Sequence, residues 1–460
     1  MNKNEFKVEV PEFGNRCAYI TDYDAIENAC ELSDSKRNAM AINMAIEDIS
    51  NAGGGTVVIP EGLWVTGPIR ILSNVRLHLQ KQAVLKFSKN MEEYPLILTN
   101  YEGQECIRTV SPITADHAEN IAITGYGVID GSGDLWRPIK QFKLTEKQWA
   151  NLMKKSQHVI ETKEGGIWLP TESALHGNEK NIQKGEPDAL KKAESYYDFY
   201  RPVMISLKHC NKILLEGVTF MNSPAWNIHP FFCKNLTVRN ASIKNQYYAQ
   251  NGDGIDVESC NGVHIHDNVF ETGDDAICIK SGKNAEARTF EGPCENVYVH
   301  NCLVNEGHGG FVVGSEMSRG VKNILVEDCT FLGTDVGVRF KSAMGRGGIV
   351  ENIDINNINM VNIKGEAITM MMSYALNSLN RNETIRKESE EDVPYFRNIH
   401  FNNIKCLDAA IPVKIDPIQG RPETITGITL KNSWFRAEKE NCVEEGCLTV
   451  ENTLFESIIS

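Results

Sequence analysis

Asn211-Lys-Ile-Leu-Leu-Glu-Gly-Val-Thr-Phe220, Asn235-Leu-Thr-Val-Arg-Asn-Ala-Ser-Ile243, Asn261-Gly-Val-His-Ile-His-Asp-Asn-Val-Phe270 and Asn296-Val-Tyr-Val-His-Asn-Cys-Leu-Val304 repeat one pattern: an Asn, alternating apolar residues, a polar corner and a second apolar run. The pattern continues at Asn323, Asn352 and Asn398, with weaker copies at Asn74 and Asn120. Most neighbouring copies lie about 24 to 35 residues apart, the range of one β-solenoid rung. Alternation with period two marks strands in which every second side chain points inward. A unit this small cannot bury its own apolar face, so stacking the copies is the physical solution. The expected fold is all-β, a parallel β-helix forming one domain over residues 1–460. Asn at a fixed point of each rung suits a tight corner, because it tolerates left-handed backbone and its amide can bond the copy on the next rung. Several unrelated β-domains would not keep this register.

Two regions depart from the repeat. Lys36 to Asn51 reads as a helix, with Ser33, Asp34 and Ser35 as capping candidates and Ile42, Ala45, Ile46 and Ile49 on one face. It is expected to cap the open end of the core within an N-terminal region over 1–60. Trp136 to Tyr200, rich in Lys and Glu and carrying Trp149, Trp168, Tyr196, Tyr197 and Tyr200, reads as an insertion over 136–200 that forms a lid or wall.

At 460 residues and 41% hydrophobic, the chain can bury a large core. No apolar run approaches the roughly 20 residues of a membrane helix, so no membrane partner is expected. Met1 to Pro11 has no apolar leader core. Thirteen cysteines, many inside apolar strands (Cys210, Cys260, Cys302, Cys329), favour a reducing compartment. The expectation is cytoplasmic if Met1 is the natural start, periplasmic or secreted if a leader was removed. A net charge of -14 argues against nucleic acid. An anionic substrate would need a local cluster of Lys and Arg.

The chemistry concentrates between Asn251 and Lys341. Asn251-Gly-Asp253-Gly-Ile-Asp256 is followed one rung on by Gly273-Asp274-Asp275. Asp residues at rung spacing stack on one face, so Asp253 should lie near Asp274 and Asp275. Crowding three carboxylates raises at least one pKa, which keeps an acid protonated beside basic neighbours. Asp-Gly and Asp-Asp also occur as turn chemistry; three at rung spacing decide for function. Gly307-His308-Gly309-Gly310 follows, with His308 placed to orient a carboxylate. Arg339 and Lys341 alternate on a strand and so share a face, and together could bind a uronic acid carboxylate.

These elements resemble glycoside hydrolase family 28, the polygalacturonases and their relatives, whose pattern is Asn-Thr-Asp, Asp-Asp, Gly-His-Gly and Arg-Ile-Lys in this order. The resemblance extends over nearly the whole chain, including Gly53-Gly-Gly-Thr-Val-Val-Ile-Pro60 and Val128-Ile-Asp-Gly131. It implies a right-handed, pectin-lyase-like β-helix that hydrolyses α-1,4-linked galacturonic acid in pectin or oligogalacturonides with inversion and no cofactor or metal. It implies Asp274 as general acid, Asp253 and Asp275 holding and deprotonating water, His308 supporting the acid, and Arg339 and Lys341 binding substrate. Asn251, Lys280, Arg201, His229 and Arg319 are further substrate-binding candidates. Gly252 and Phe340 replace the family's Thr and Ile.

The insertion, Tyr200-Arg201-Pro202, Trp226-Asn-Ile-His229-Pro230 and Gly314-Ser-Glu316-Met-Ser-Arg319 resemble bacterial exo-acting members, which implies release of galacturonate from the non-reducing end. An exo-enzyme acting on rhamnogalacturonan is the alternative. A calcium-dependent pectate lyase, which would need open oxygen ligands and a base, and a silent sugar-binding β-helix are more distant ones.

Overall fold

The computed structural model describes residues 3, 6–28, 32–374 and 389–458. Among the described residues, thirty-two strands form one parallel system in which strands inside the stack pair with their counterparts on the rungs before and after, the parallel β-helix expected from the repeat. Each full rung contributes to three strand stacks. In the first stack Ile213, Leu236, Val263, Val297, Ile324, Ile353, Ile399 and Ile428 lie in register. All are buried, because alternation turns them inward while neighbours such as His264 and His266 stay outside. Each such side chain contributes about 1.5–3 kcal/mol of burial. The third stack aligns Ile113, Ile205, Ile228, Ile255, Ile277, Phe311, Val338, Ile368 and Val413 in the same way.

The corner before the first stack is left-handed, as the Asn pattern requires: Asn120, Asn235, Asn296, Asn323, Asn352 and Asn398 have positive φ. Two rungs differ from expectation. Beside Asn211 and Asn261 the left-handed residues are Lys212 and Gly262, one position on, and these occupy the register positions of Asn235 and Asn296. The amide ladder continues through them, with Asn235 Nδ2 donating to Asn211 Oδ1 at 2.9 Å and Asn296 Nδ2 to Asn261 Oδ1 at 2.9 Å.

The capping helix spans Leu32–Asn51 and buries Ile42, Ala45, Ile46 and Ile49 against the first rung. It starts four residues earlier than its periodicity suggested, so Asp34 and Ser35 sit within its first turn rather than ahead of it; the Ser33 side chain lies outside the described residues.

The excursions matter most for function, because they leave the solenoid at one corner, between the second and third stacks. A hairpin, Leu96–Tyr101 with Gln104–Thr109, precedes the third-stack strand Ile113–Asp116; no sequence signal announced it. The insertion follows on the next rung, between Val128–Asp130 and Ile205–Lys208. Besides helices Glu146–Lys155, Glu172–Lys180 and Ala189–Ala193, it holds a three-stranded antiparallel sheet of Ile139–Lys140, Gly165–Trp168 and Val159–Thr162. Its aromatics form its own core: Trp136 and Tyr197 pack with Tyr94, and Tyr200 with Ile107 of the hairpin. Insertion and hairpin therefore pack together as one unit. Among the described residues, no helix is long and apolar enough to cross a membrane.

Candidate active site

The same corner, on later rungs, carries Asp253, Asp274, Asp275 and His308. Each lies just ahead of a third-stack strand, Ile255–Glu258, Ile277–Lys280 or Gly309–Gly314. Register places Asp253 over Asp275, with Gly254 N–H donating to the Asp275 carbonyl, and Asp274 over His308, whose N–H donates to the Asp274 carbonyl. One oxygen of each of Asp253, Asp274 and Asp275 lies within 4.8 Å of the others. Glycines make room: a Cβ at Gly309 would lie 3.2 Å from Asp275 Oδ1, and one at Gly252 would lie 2.7 Å from the Ala249 Cβ. Ala249 therefore fills the space where a side chain at position 252 would begin.

The three carboxyls differ in exposure. The Asp274 side chain is 21% exposed and Asp275 1%, while Asp253 is buried. Among the described residues, Asp253 Oδ1, Asp275 Oδ1 and both Asp256 carboxyl oxygens are buried without a hydrogen-bond partner. Burial and the carboxylates of Asp256, Asp274 and Asp275 push Asp253 well above the usual carboxylate range, against Lys280. Asp256 is pushed up by burial, against Lys280, and by Asp275 and Asp274. Burial also raises Asp274, but His308, Lys341 and Lys143 outweigh it and hold this carboxyl well below the usual range. Burial and like charge thus favour the neutral form at Asp253 and Asp256, whereas the neighbouring cations favour the ionised form at Asp274.

Cations surround it. Lys341 Nζ donates to Asp275 Oδ2 at 2.6 Å. Burial lowers the Lys341 ammonium's proton affinity, and Asp275, Tyr374 and Cys278 together outweigh it, so the ammonium is held above its usual range. Arg339 and Lys341 lie over the same Tyr374 ring, at 5.4 and 5.0 Å, so the alternation does put both cations on one side. His308 Nδ1 is 3.1 Å from Asp274 Oδ1 and Nε2 is 3.7 Å from Asp335 Oδ2.

The remaining substrate-binding candidates have mostly intramolecular partners. Arg201 is buried and donates to the carbonyls of Pro224 and Gln250 and to Asn251 Oδ1 at 2.7 Å, so Arg201 and Asn251 together hold the loop leading to Asp253. His229 is fully buried against Glu258, Nε2 to Oε2 at 2.8 Å. Lys280 is buried over the Trp226 ring and donates to Glu316 Oε2 at 2.8 Å, with Asp256 Oδ1 at 3.6 Å. Arg319 donates to the Phe290 carbonyl; among the described residues, no hydrogen bond or ion pair joins it to the carboxylates.

Sequence reading passed over Asp256, Glu316, Tyr374 and Lys143. Asp256 stood inside the quoted Asp253 motif, and Glu316 inside the 314–319 segment, so their acidity was visible but their pairing through Lys280 was not. Nothing in sequence marked Lys143, which reaches His308 from the insertion at 3.1 Å.

Residues 189–442 match the model of glycosyl hydrolases family 28. A probable polygalacturonase of Vitis vinifera is 25% identical over 425 residues, covering 90% of this chain and 74% of that protein. An exo-poly-alpha-D-galacturonosidase of Dickeya chrysanthemi is 28% identical over 78% of this chain and 57% of its own length. Among solved structures, an exopolygalacturonase from Thermotoga maritima superposes with a TM-score of 0.80 at 29% identity, covering 98% of this chain and 94% of that one. With the acids and the histidine stacked at one corner of a right-handed parallel β-helix and the Arg-Lys pair on an adjoining strand, the chain belongs to glycosyl hydrolases family 28 and is a glycoside hydrolase.

Proposed function

We propose that the enzyme hydrolyses α-1,4-linked galacturonic acid in homogalacturonan or its oligosaccharides, from the non-reducing end and with inversion. One observation carries the reading: Asp274 is the accessible member of the three stacked carboxyls, and Lys341, bonded to its neighbour Asp275, shares the Tyr374 ring with Arg339. A polyanionic sugar needs such a local positive patch on a chain of net charge -14. Exo-action is supported by the names of the Dickeya and Thermotoga relatives. The wall of hairpin and insertion at the corner leading to the acids supports it as well.

In this reading Asp274 protonates the leaving oxygen, and Asp253 and Asp275 hold and deprotonate water. Their oxygens lie closer than the roughly 6.5–9.5 Å typical of inverting pairs. Spacing alone would therefore suggest retention. The inverting course therefore rests on the family resemblance, and the anomeric configuration of the product is its test. The acid role also requires a proton on Asp274. A uronate carboxylate drawn to Arg339 and Lys341 adds negative charge where cations now hold Asp274 ionised, and so raises its proton affinity. Buried thiols such as Cys233, Cys260 and Cys294 support a reducing compartment, which fractionation of the producing cells would test.

The test compares homogalacturonan and rhamnogalacturonan oligosaccharides, with early products separated by chromatography and their anomers followed by NMR. Monomeric galacturonate of inverted configuration from homogalacturonan is expected. Oligomeric early products would remove exo-action, retained anomers would remove inversion, and release only from rhamnogalacturonan would move the substrate.

A further inference from the structure

Lys143 ends the short turn Gln141–Lys143 of the insertion, far in sequence from the acids. Its Nζ lies 3.1 Å from the Tyr247 carbonyl, 2.9 Å from the Gly273 carbonyl and 3.1 Å from His308 Nε2. An ammonium carries three protons and no lone pair. Three short contacts therefore use all three protons, and each partner must accept. Two partners are carbonyls, which can do nothing else; the third is an imidazole nitrogen, which accepts only when it carries no proton. A neutral imidazole then has its one proton on Nδ1, the nitrogen 3.1 Å from Asp274 Oδ1.

We infer that Lys143 is a positioning residue that fixes His308 in the Nδ1–H tautomer, so that the imidazole donates to Asp274. Its bond to the Gly273 carbonyl also pins the backbone directly ahead of Asp274. The inference rests on the reading of Asp274 as the reacting carboxyl, and gives the insertion a role besides walling: it supplies the group that orients the acid's partner. The competing arrangement has a proton on Nε2, either as an imidazolium facing Asp335 Oδ2 at 3.7 Å or donating to an uncharged Lys143. Burial and the cations Lys140 and Lys364 favour the uncharged lysine, and Asp274 and Asp335 oppose it.

Imidazole ¹⁵N spectra of histidine-labelled enzyme, with His308 assigned by its disappearance in His308→Gln, decide between the two. The expected wild-type signature is a protonated Nδ1 and an unprotonated Nε2. In Lys143→Met the Nε2–H tautomer should appear, and kcat should fall roughly 10- to 100-fold with KM little changed, the scale of a misplaced catalytic group. Lys143→Arg, which keeps charge and donors, should retain the wild-type tautomer and most of the rate. A wild-type His308 protonated on Nε2 overturns the inference, even if no Lys143 variant folds. A tautomer unchanged in folded Lys143→Met overturns it too, whatever happens to the rate. Failure to cleave galacturonan would overturn the substrate reading and leave the tautomer result standing.

Discussion

Two corners of the solenoid stack like on like, with opposite results. Ahead of the first strand stack amide lies over amide: Asn235 donates to Asn211, Asn296 to Asn261 and Asn398 to Asn352. Ahead of the third stack carboxyl lies over carboxyl, Asp253 over Asp275 with Asp274 beside them. An amide has both donor and acceptor, so each copy satisfies the next. An ionised carboxylate only accepts, so stacking crowds charge and, among the described residues, leaves a buried oxygen unpartnered at each of Asp253 and Asp275. Rung register is indifferent to this distinction. Residue type decides whether a stack holds the coil together or concentrates titratable groups with perturbed proton affinity.

The severest break in the carboxyl stack is Asp274→Asn. It keeps the shape and removes the carboxyl proposed as proton donor, so turnover on oligogalacturonate should fall roughly 10²- to 10⁴-fold. Circular dichroism should be unchanged, because an amide fits the stack at least as well. A folded variant with near-normal rate would refute the acid assignment.

Lys341→Met attacks the cation that compensates the stack. It leaves Asp275 buried and unpaired, which costs about 3–5 kcal/mol for a broken buried ion pair. Stability by urea denaturation should drop accordingly, and Asp275→Asn added to it should recover much of the loss without recovering activity. If Lys341 also reads a substrate carboxylate, the preference for a charged over a methyl-esterified leaving-group sugar should shrink by roughly 10- to 150-fold in kcat/KM. Equal losses on both substrates would reduce Lys341 to a partner of Asp275.

A gentler change distinguishes where the proton sits. Because Asp253 binds its proton more tightly folded than unfolded, it favours the folded state at low pH. That advantage is lost as pH rises from the unfolded pKa of about 3.9 toward the raised folded value. Asp253→Asn carries no such dependence. It should be inactive, yet more stable relative to wild type at pH 7 than at pH 4. A stability difference that does not vary between these pH values would take the proton off Asp253.

How far these groups were legible in sequence follows from which part of the fold presents them. Asp253, Asp274, Asp275 and His308 lie on the solenoid itself, where rung spacing converts directly into proximity. Arg339 and Lys341 lie on one strand, where period two converts into a shared side. Lys143 reaches the site only because a small antiparallel sheet and its aromatic core fold the insertion back against it, and no periodicity encodes that. Arg201, His229 and Lys280 were legible as residues near the motifs, but their burial against Asn251, Glu258 and Glu316 depends on partners supplied by the following rungs. The helix start at Leu32 was missed because apolar periodicity marks only the buried face, which begins later.

The smallest effects test the amide corner, where two rungs offer an internal control. Asn296 is left-handed, at φ 57°, and donates to Asn261. Asn296→Ala should lose about 1 kcal/mol for the hydrogen bond and about 1 kcal/mol more for an alanine in left-handed backbone. Asn296→Gly should lose the bond but not the strain, and so be the more stable of the two. At Asn261 the left-handed residue is instead the following Gly262, at φ 75°. Here Asn261→Ala carries no left-handed penalty, whereas Asn261→Gly adds about 0.5–1 kcal/mol of backbone entropy within a strand. The order should therefore invert: glycine above alanine at 296, alanine above glycine at 261, with activity unchanged in all four. Urea midpoints measure this directly. The same order at both positions would mean that the corner's stability comes from the amide ladder alone, with no contribution from the left-handed backbone.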